Sequence, residues 1–256
     1  MMDLFDEPAP LAGRMPTVPD GIRLYVVGDV HGRLDLLHGI ERQIEADARS
    51  AGDLRIVQVM LGDYIDRGPD SRGVIAHLIE RARTHEIVTL RGNHEAYMIE
   101  LPADLFSRWC RFGGRQTLAS YGLDLSEVSD AAIEASTLDF VKQARAVVPE
   151  EHMRFLAETQ MMWRSGDYLF VHAGIRPGVP LAKQDPYDLM WIRHDFLDND
   201  DDLGLVVVHG HTPMPAPVVR PNRIDIDTKA FQSGVLTCLV LEGTQQRFLQ
   251  TSGAML

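Results

Sequence analysis

Cysteine is nearly absent from this chain: Cys110 and Cys238 are too few for a disulfide framework, which excludes the stapled secreted scaffolds and suits a reducing compartment. Long apolar runs are missing too, with none approaching the roughly 20 residues that span a bilayer. The N-terminus carries Asp3, Asp6 and Glu7 in place of a basic segment followed by an apolar one, so no secretory leader is expected and the cytoplasm is the expected location. Basic residues are scarce beside acidic ones, 25 Lys and Arg against 37 Asp and Glu, for a net charge of −12. That balance excludes general binding to nucleic-acid backbone or an anionic membrane, which is held mainly by Lys and Arg clusters. It leaves an anionic small ligand open, because bound cations reverse a local field. Repeats and low-complexity segments are also lacking, and 256 residues allow one domain with a substantial core, expected to act as a monomer.

What is present begins with punctuation. Pro8, Pro10, Pro16 and Pro19 stand among small and acidic residues, so residues 1–21 read as an extended arm and 22–256 as the folded domain. Leu24 to Val27 is a short apolar run ending in Gly28, after which Leu34, Leu37, Ile40 and Ile44 recur at helical spacing. The same strand, loop and helix sequence repeats at 56–61 with a helix from Ser71, and at 87–90 with a helix after Asn93. From about 96 to 159 the periodicity is helical, interrupted at Phe112-Gly113-Gly114, and reads as an insertion or cap. Beyond it, 161–164 and 168–171 flank a Ser165-Gly166-Asp167 turn as a hairpin, and 205–208, 223–226, 235–241 and 246–249 read as further strands. The fold class is α/β.

Five short motifs punctuate these elements in order: Gly28-Asp29-Val30-His31-Gly32, Gly62-Asp63-Tyr64-Ile65-Asp66-Arg67-Gly68, Gly92-Asn93-His94-Glu95, His172-Ala173-Gly174 and Gly210-His211-Thr212. Carboxylate, imidazole and amide oxygen together suit divalent ions of the Mn, Fe and Zn type, and a two-ion centre needs a ligand able to bridge, for which Asp63 is suited. Open α/β sheets collect ligands at the carboxyl ends of their strands, where several of these motifs fall. The set resembles the phosphoprotein phosphatase (PPP) family within the calcineurin-like metallophosphoesterases, from about Leu24 to Leu241.

The resemblance implies a sandwich of two mixed β-sheets flanked by helices, with Asp29 and His31 on a first metal, Asp63 bridging, and Asn93, His172 and His211 on a second. It implies Arg67 and Arg193 as phosphate-binding arginines and His94 as general acid, oriented by Asp66. The two ions are expected to be Mn in vitro, with Fe, Zn, Co or Ni also accepted by such ligands. His209 lies one strand step from His211 and either joins the cluster or faces elsewhere; His38, His77, His85, His152 and His194 carry no motif. Nothing demands a covalent intermediate.

The expected substrate is a phosphorylated protein, by serine/threonine phosphatase chemistry of the bacterial and phage type. A symmetrical dinucleoside tetraphosphate hydrolase releasing two ADP is the second reading, and an idle binding scaffold the third. A phosphodiesterase or nuclease fits less well, since Pro213 stands where Gly-His-X-His would place its second histidine. Asp198 to Asp202 is either a solvated loop or a border favouring basic peptides, and Trp109, Arg111 and Arg115 either line the opening or, for Trp109, pack inside the cap. Lys229 in Asp227-Thr228-Lys229-Ala230 replaces a glycine usual in the bacterial relatives, which places a conformational cost there if the position needs positive φ.

Overall fold

Alternation along the strands sends successive side chains to opposite faces, and here both faces of each sheet find cover. In the computed structural model, which describes residues 4–5 and 8–253, the strands in chain order are β1 (Ile22–Val27), β2 (Arg55–Met60), β3 (Ile87–Thr89), β4 (Met162–Ser165) and β5 (Tyr168–Val171). They are followed by β6 (Val206–His209), β7 (Val218–Arg220), β8 (Arg223–Asp225), β9 (Thr237–Glu242) and β10 (Gln245–Gln250). The first sheet runs β10-β9-β1-β2-β3, with β1, β2 and β3 parallel and the other pairs antiparallel. The second runs β4-β5-β6-β8-β7, with β5, β6 and β8 parallel between antiparallel edges.

Leu24 and Val26 of β1, Val57 and Val59 of β2, and Leu239 and Leu241 of β9 point into the space between the sheets, where they meet Tyr168, Phe170, Val206, Val208 and Ile224. The intervening Tyr25, Val27 and Met60 face outward onto α1 (Leu34–Ala48) and α2 (Ser71–Arg81). Each such side chain contributes about 1.5–3 kcal/mol by leaving water. The helical spacing of Leu37, Ile40 and Ile44 buries one stripe of α1, and Asp70 caps α2 by accepting the Gly73 N–H at 2.7 Å. A third helix, α3 (Asn93–Glu100), leads into helical segments that continue to Ala157, broken by non-helical stretches at 121–129 and 148–149. Among the described residues no helix is long and apolar enough to cross a membrane.

Besides short helices at Pro186–Trp191, His194–Leu197 and Ala230–Ser233, where the sequence reading placed none, two findings depart from it. The arm is not wholly apart from the core, because Leu11 and Val18 are buried between the sheets with the residues just named. Arg14 pairs with Asp167 at 2.5 Å, and Asp202 accepts the backbone N–H groups of Leu11 and Ala12. The prolines exclude a helix there but do not prevent two apolar side chains from docking. The arm's Asp3, Asp6 and Glu7, and the domain's end at 256, lie outside the described residues. The second departure is β7, an edge strand unread in the sequence because Pro213, Pro215 and Pro217 precede it; an edge tolerates such neighbours.

Candidate metal centre

The parallel strands end on one side of the sandwich, and their loops bring the motif residues together. Asp29 and His31 follow β1, Asp63 follows β2, Asn93 opens α3 after β3, His172 follows β5 and His211 follows β6. All are buried. Asp63 is central: its Oδ2 lies 3.5 Å from His31 Nε2, and its Oδ1 lies 3.4 Å from His172 Nε2. Asn93 Oδ1 is 3.0 Å from His172 Nε2, and Asp29 Oδ2 accepts the His211 backbone N–H at 3.1 Å. Two trios hold their donor atoms within 4.8 Å of one another, His31 with Asp63 and His94, and Asp63 with His172 and His211.

Local backbone strain makes this approach possible. His31, Asp63, Asp66, Arg67 and His211 all have left-handed φ, between 45° and 71°, at roughly 1–2 kcal/mol each. Surrounding hydrogen bonds hold them there. Glu95 is the main support of the Asp63 turn: its carboxylate accepts the N–H groups of Asp63, Tyr64 and Gly92 at 2.8, 2.8 and 2.9 Å. The sequence reading quoted Glu95 without a role, although its position three residues after the helix-capping Gly92 is a legible capping signal. Gly92 and Gly210 permit close packing, since a β-carbon on either would overlap the Asp63 or Asp29 carboxylate respectively.

Charge and tautomer at the centre suit cations. Asp29 is pushed well up by burial, by Asp227 and by Asp63, and Asp227 rises to about 6 through burial. Burial would raise Asp63 as well, but His172 and the other imidazoles hold its carboxylate well below the usual range. Burial drives His31 and His172 down and His211 down to about 2, toward the neutral form that ligates metals. The backbone carbonyls of Ile65 and Leu61 lie 2.8 and 3.0 Å from Nδ1 of His31 and His172, which assigns the N–H there and frees Nε2. Asp29 Oδ1 and His211 Nε2 are buried without a hydrogen-bond partner. These residues fit divalent metal: crowded carboxylates, neutral imidazoles and unpartnered donor atoms are what bound cations would satisfy.

His94 stands apart from the other imidazoles. Its Nδ1 is 2.6 Å from Asp66 Oδ2, while its Nε2 lies 3.9 Å from Asp63 Oδ2. Burial opposes its charged form, yet Asp63 and the bonded Asp66 raise it above its ordinary 6.5. Arg67 spans the group, with Nη1 3.0 Å from His31 Nε2 and Nη2 3.0 Å from His94 Nε2, and its guanidinium lies 4.8 Å from the centre of the Phe231 ring. Arg193 is exposed and donates to Thr212 Oγ1 at 3.0 Å, beside His211.

Other expectations resolve individually. His209 is buried in β6 against Phe196, and burial lowers it to about 4; its neighbour His211 lies beyond the strand end, where the chain turns. The acidic loop binds the protein's own backbone and side chains: Asp202 holds the arm and Asp200 pairs with Arg223 at 3.3 Å. Trp109 is buried, with its indole on Asp66. Lys229 does adopt the left-handed conformation, φ 57°. Lys229→Gly is therefore expected to raise stability by roughly 0.5–1 kcal/mol, the relieved strain less the added freedom of the unfolded chain. A thermal melt checks this, and a lower melting temperature would show that the lysine side chain compensates.

The sandwich with this site at its strand ends defines a metal-dependent phosphoester hydrolase. Residues 22–237 match the calcineurin-like phosphoesterase family, and the chain belongs to that family. It is 26% identical over 219 residues to serine/threonine-protein phosphatase 1 of Salmonella typhimurium, covering 84% of this chain and 89% of that protein. It is 23% identical over 235 residues to an asymmetrical bis(5'-nucleosyl)-tetraphosphatase of Oceanobacillus iheyensis, covering 84% of this chain and 87% of that one. Identity to a zinc-dependent endopolyphosphatase of Saccharomyces cerevisiae is 32% over 199 residues, 68% of this chain but only 57% of that protein. In fold, it is similar to a cold-active protein-tyrosine phosphatase of a psychrophilic Shewanella, with a TM-score of 0.54 at 20% identity over 92% of this chain and 83% of that one.

Proposed function

We propose that the protein hydrolyses phosphate monoesters with alkoxide leaving groups, foremost phosphoserine and phosphothreonine in proteins. The observation that carries this reading is the 2.6 Å contact between His94 and Asp66, with the other ring nitrogen 3.0 Å from Arg67 Nη2 and 3.9 Å from Asp63 Oδ2. A serine or threonine alkoxide needs a proton as its bond to phosphorus breaks, whereas a phosphoanhydride departs as an already stabilised phosphate. A buried imidazole backed by a carboxylate answers the first need. Its Nδ1 meets a carboxylate where those of His31 and His172 meet backbone carbonyls, and in metal-free protein its proton affinity is raised while theirs is lowered, which favours proton donation over metal ligation although His94 stands within one trio.

In this reading Asp66 orients His94, His94 delivers the proton to the departing oxygen, and Arg67 and Arg193 hold the phosphoryl oxygens as charge grows on them. Asp29, His31 and Asp63 would hold one divalent ion; Asp63, Asn93, His172 and His211 would hold another. When bound, the ions supply Lewis acidity and activate the attacking water, with Mn the first choice in vitro and Fe, Zn, Co or Ni compatible with the same donors. The assembled donors support a working rather than an idle centre.

The second reading is dinucleoside tetraphosphate hydrolysis. The Oceanobacillus relative favours it, and its name points to asymmetrical cleavage, giving ATP and AMP from diadenosine tetraphosphate, rather than to two ADP. The Mn-reconstituted protein is assayed on phosphoserine and phosphothreonine peptides and on diadenosine tetraphosphate, with products identified. Peptide dephosphorylation is expected to dominate; efficient dinucleotide cleavage with little peptide turnover would overturn the first reading and leave the metal centre intact.

A further inference from the structure

The helical insertion reaches beneath the site and grips Asp66. That residue is fully buried, and its carboxylate meets three side-chain donors: His94 Nδ1 and the Trp109 indole on Oδ2, at 2.6 and 2.8 Å, and the Thr117 hydroxyl on Oδ1, at 2.6 Å. Trp109 and Thr117 both come from the insertion. The Thr117 oxygen also accepts the Asp66 backbone N–H at 2.9 Å, a donor shared with Ser71 Oγ at 3.0 Å. One hydroxyl thus clamps backbone and carboxylate of a residue held at φ 71°.

The adjoining turn is supported from the same side. Arg67, at φ 69°, donates its N–H to the Gly113 carbonyl at 3.3 Å, and a β-carbon on Gly113 would overlap the Arg67 backbone. A β-carbon on Gly114 would strike the Trp109 ring. The kink read from Phe112-Gly113-Gly114 is therefore what lets insertion and turn close on each other. Packing alone asks only for volume at positions 109 and 117. Two insertion donors converging on one buried carboxylate serve orientation, because a carboxylate with its oxygens held by fixed partners has one rotamer.

We infer that Trp109 and Thr117 are positioning residues for proton transfer: they fix the Asp66 carboxylate, and through it the direction in which His94 presents Nε2 to the leaving group. The inference rests on the reading of His94 as proton donor and adds that the insertion is part of the catalytic apparatus, not only a wall of the opening.

The test uses Mn-loaded protein and compares Thr117→Val, Thr117→Ser, Trp109→Phe, His94→Asn and the double variant His94→Asn/Thr117→Val. Values of kcat and KM are measured on a phosphoserine peptide and on p-nitrophenyl phosphate, with bound Mn determined for each protein. Thr117→Val and Trp109→Phe are expected to lose on the order of 10–100-fold in kcat on the peptide, with KM and Mn content little changed and a much smaller loss on p-nitrophenyl phosphate. Thr117→Ser, which keeps the hydroxyl, should restore most of the peptide activity. The double variant should be no worse than His94→Asn alone, since both changes remove one function. Equal losses on the two substrates, or additive losses in the double variant, would overturn the positioning role while His94→Asn keeps its substrate difference. If His94→Asn itself loses equally on both, the proton-donor reading falls and takes this inference with it. Trp109→Phe carries the comparison independently of how well Thr117→Val packs.

Discussion

His94→Asn is expected to lower turnover of a phosphoserine peptide by about 10²–10³-fold and that of p-nitrophenyl phosphate by roughly tenfold or less. The difference follows from leaving-group chemistry: nitrophenolate departs without a proton and an alkoxide does not. His94 is buried with Nδ1 2.6 Å from Asp66 Oδ2, so the ring is held by a fixed partner and Nε2 is the nitrogen that would carry the donated proton. The same pair sets the pH dependence. Although burial opposes the charged imidazole, Asp63 and the hydrogen-bonded Asp66 raise His94 above 6.5 in metal-free protein; bound cations would offset the Asp63 share and leave that of Asp66. Peptide turnover should fall as pH rises and His94 loses its proton, because the donor is then lost, and this basic limb should vanish in His94→Asn. Rate profiles on both substrates decide the matter. Parallel profiles with equal losses would sink the proton-donor role.

Asp63→Asn should abolish activity toward every substrate, with losses on the order of 10³-fold, and lower metal affinity by at least about 100-fold. Asp63 is the residue whose two oxygens face both trios, and an asparagine offers one oxygen, without charge, to the same space. Calorimetry with Mn and metal analysis of the purified variant give the stoichiometry. Stability supplies a separate check. In metal-free protein the Asp63 carboxylate helps to raise Asp29 and Asp227, yet the imidazoles around it hold it well below the usual range, so neutralising it relieves a repulsion and removes a favourable interaction together. The variant should gain far less than the parent on adding Mn, where tight binding at 100 times Kd stabilises by about 2.7 kcal/mol. Two ions retained per chain, with a full Mn-induced shift, would remove Asp63 from the bridging position.

Much of the fold was legible because its signals are local. Apolar runs punctuated by glycine mark β1, β2 and β3, and helical spacing marks α1; both depend on which side chains must leave water. β7 escaped because a three-residue edge strand buries little and needs no apolar pattern. The inward turn of Leu11 and Val18 escaped because docking onto a distant surface leaves no periodicity in a proline-rich segment. Lys229 shows the limit from the other side: the motif located a position suited to glycine, but only the folded backbone could supply its φ of 57°.

The sequence by itself determined the chemistry available to this protein, since residue type sets which atoms can bind a cation or carry a proton, and the five motifs name Asp29, His31, Asp63, Asn93, His94, His172 and His211 as the candidates. Tertiary structure alone decided how those atoms are placed. His94 differs from His31 and His172 because Asp66, rather than a backbone carbonyl, lies against its Nδ1. Trp109 and Thr117, 43 and 51 positions beyond Asp66, meet its carboxylate only once the insertion has folded over the turn. Hydrogen-bond partners act over about 3 Å of space and not over chain distance, so no local pattern records them.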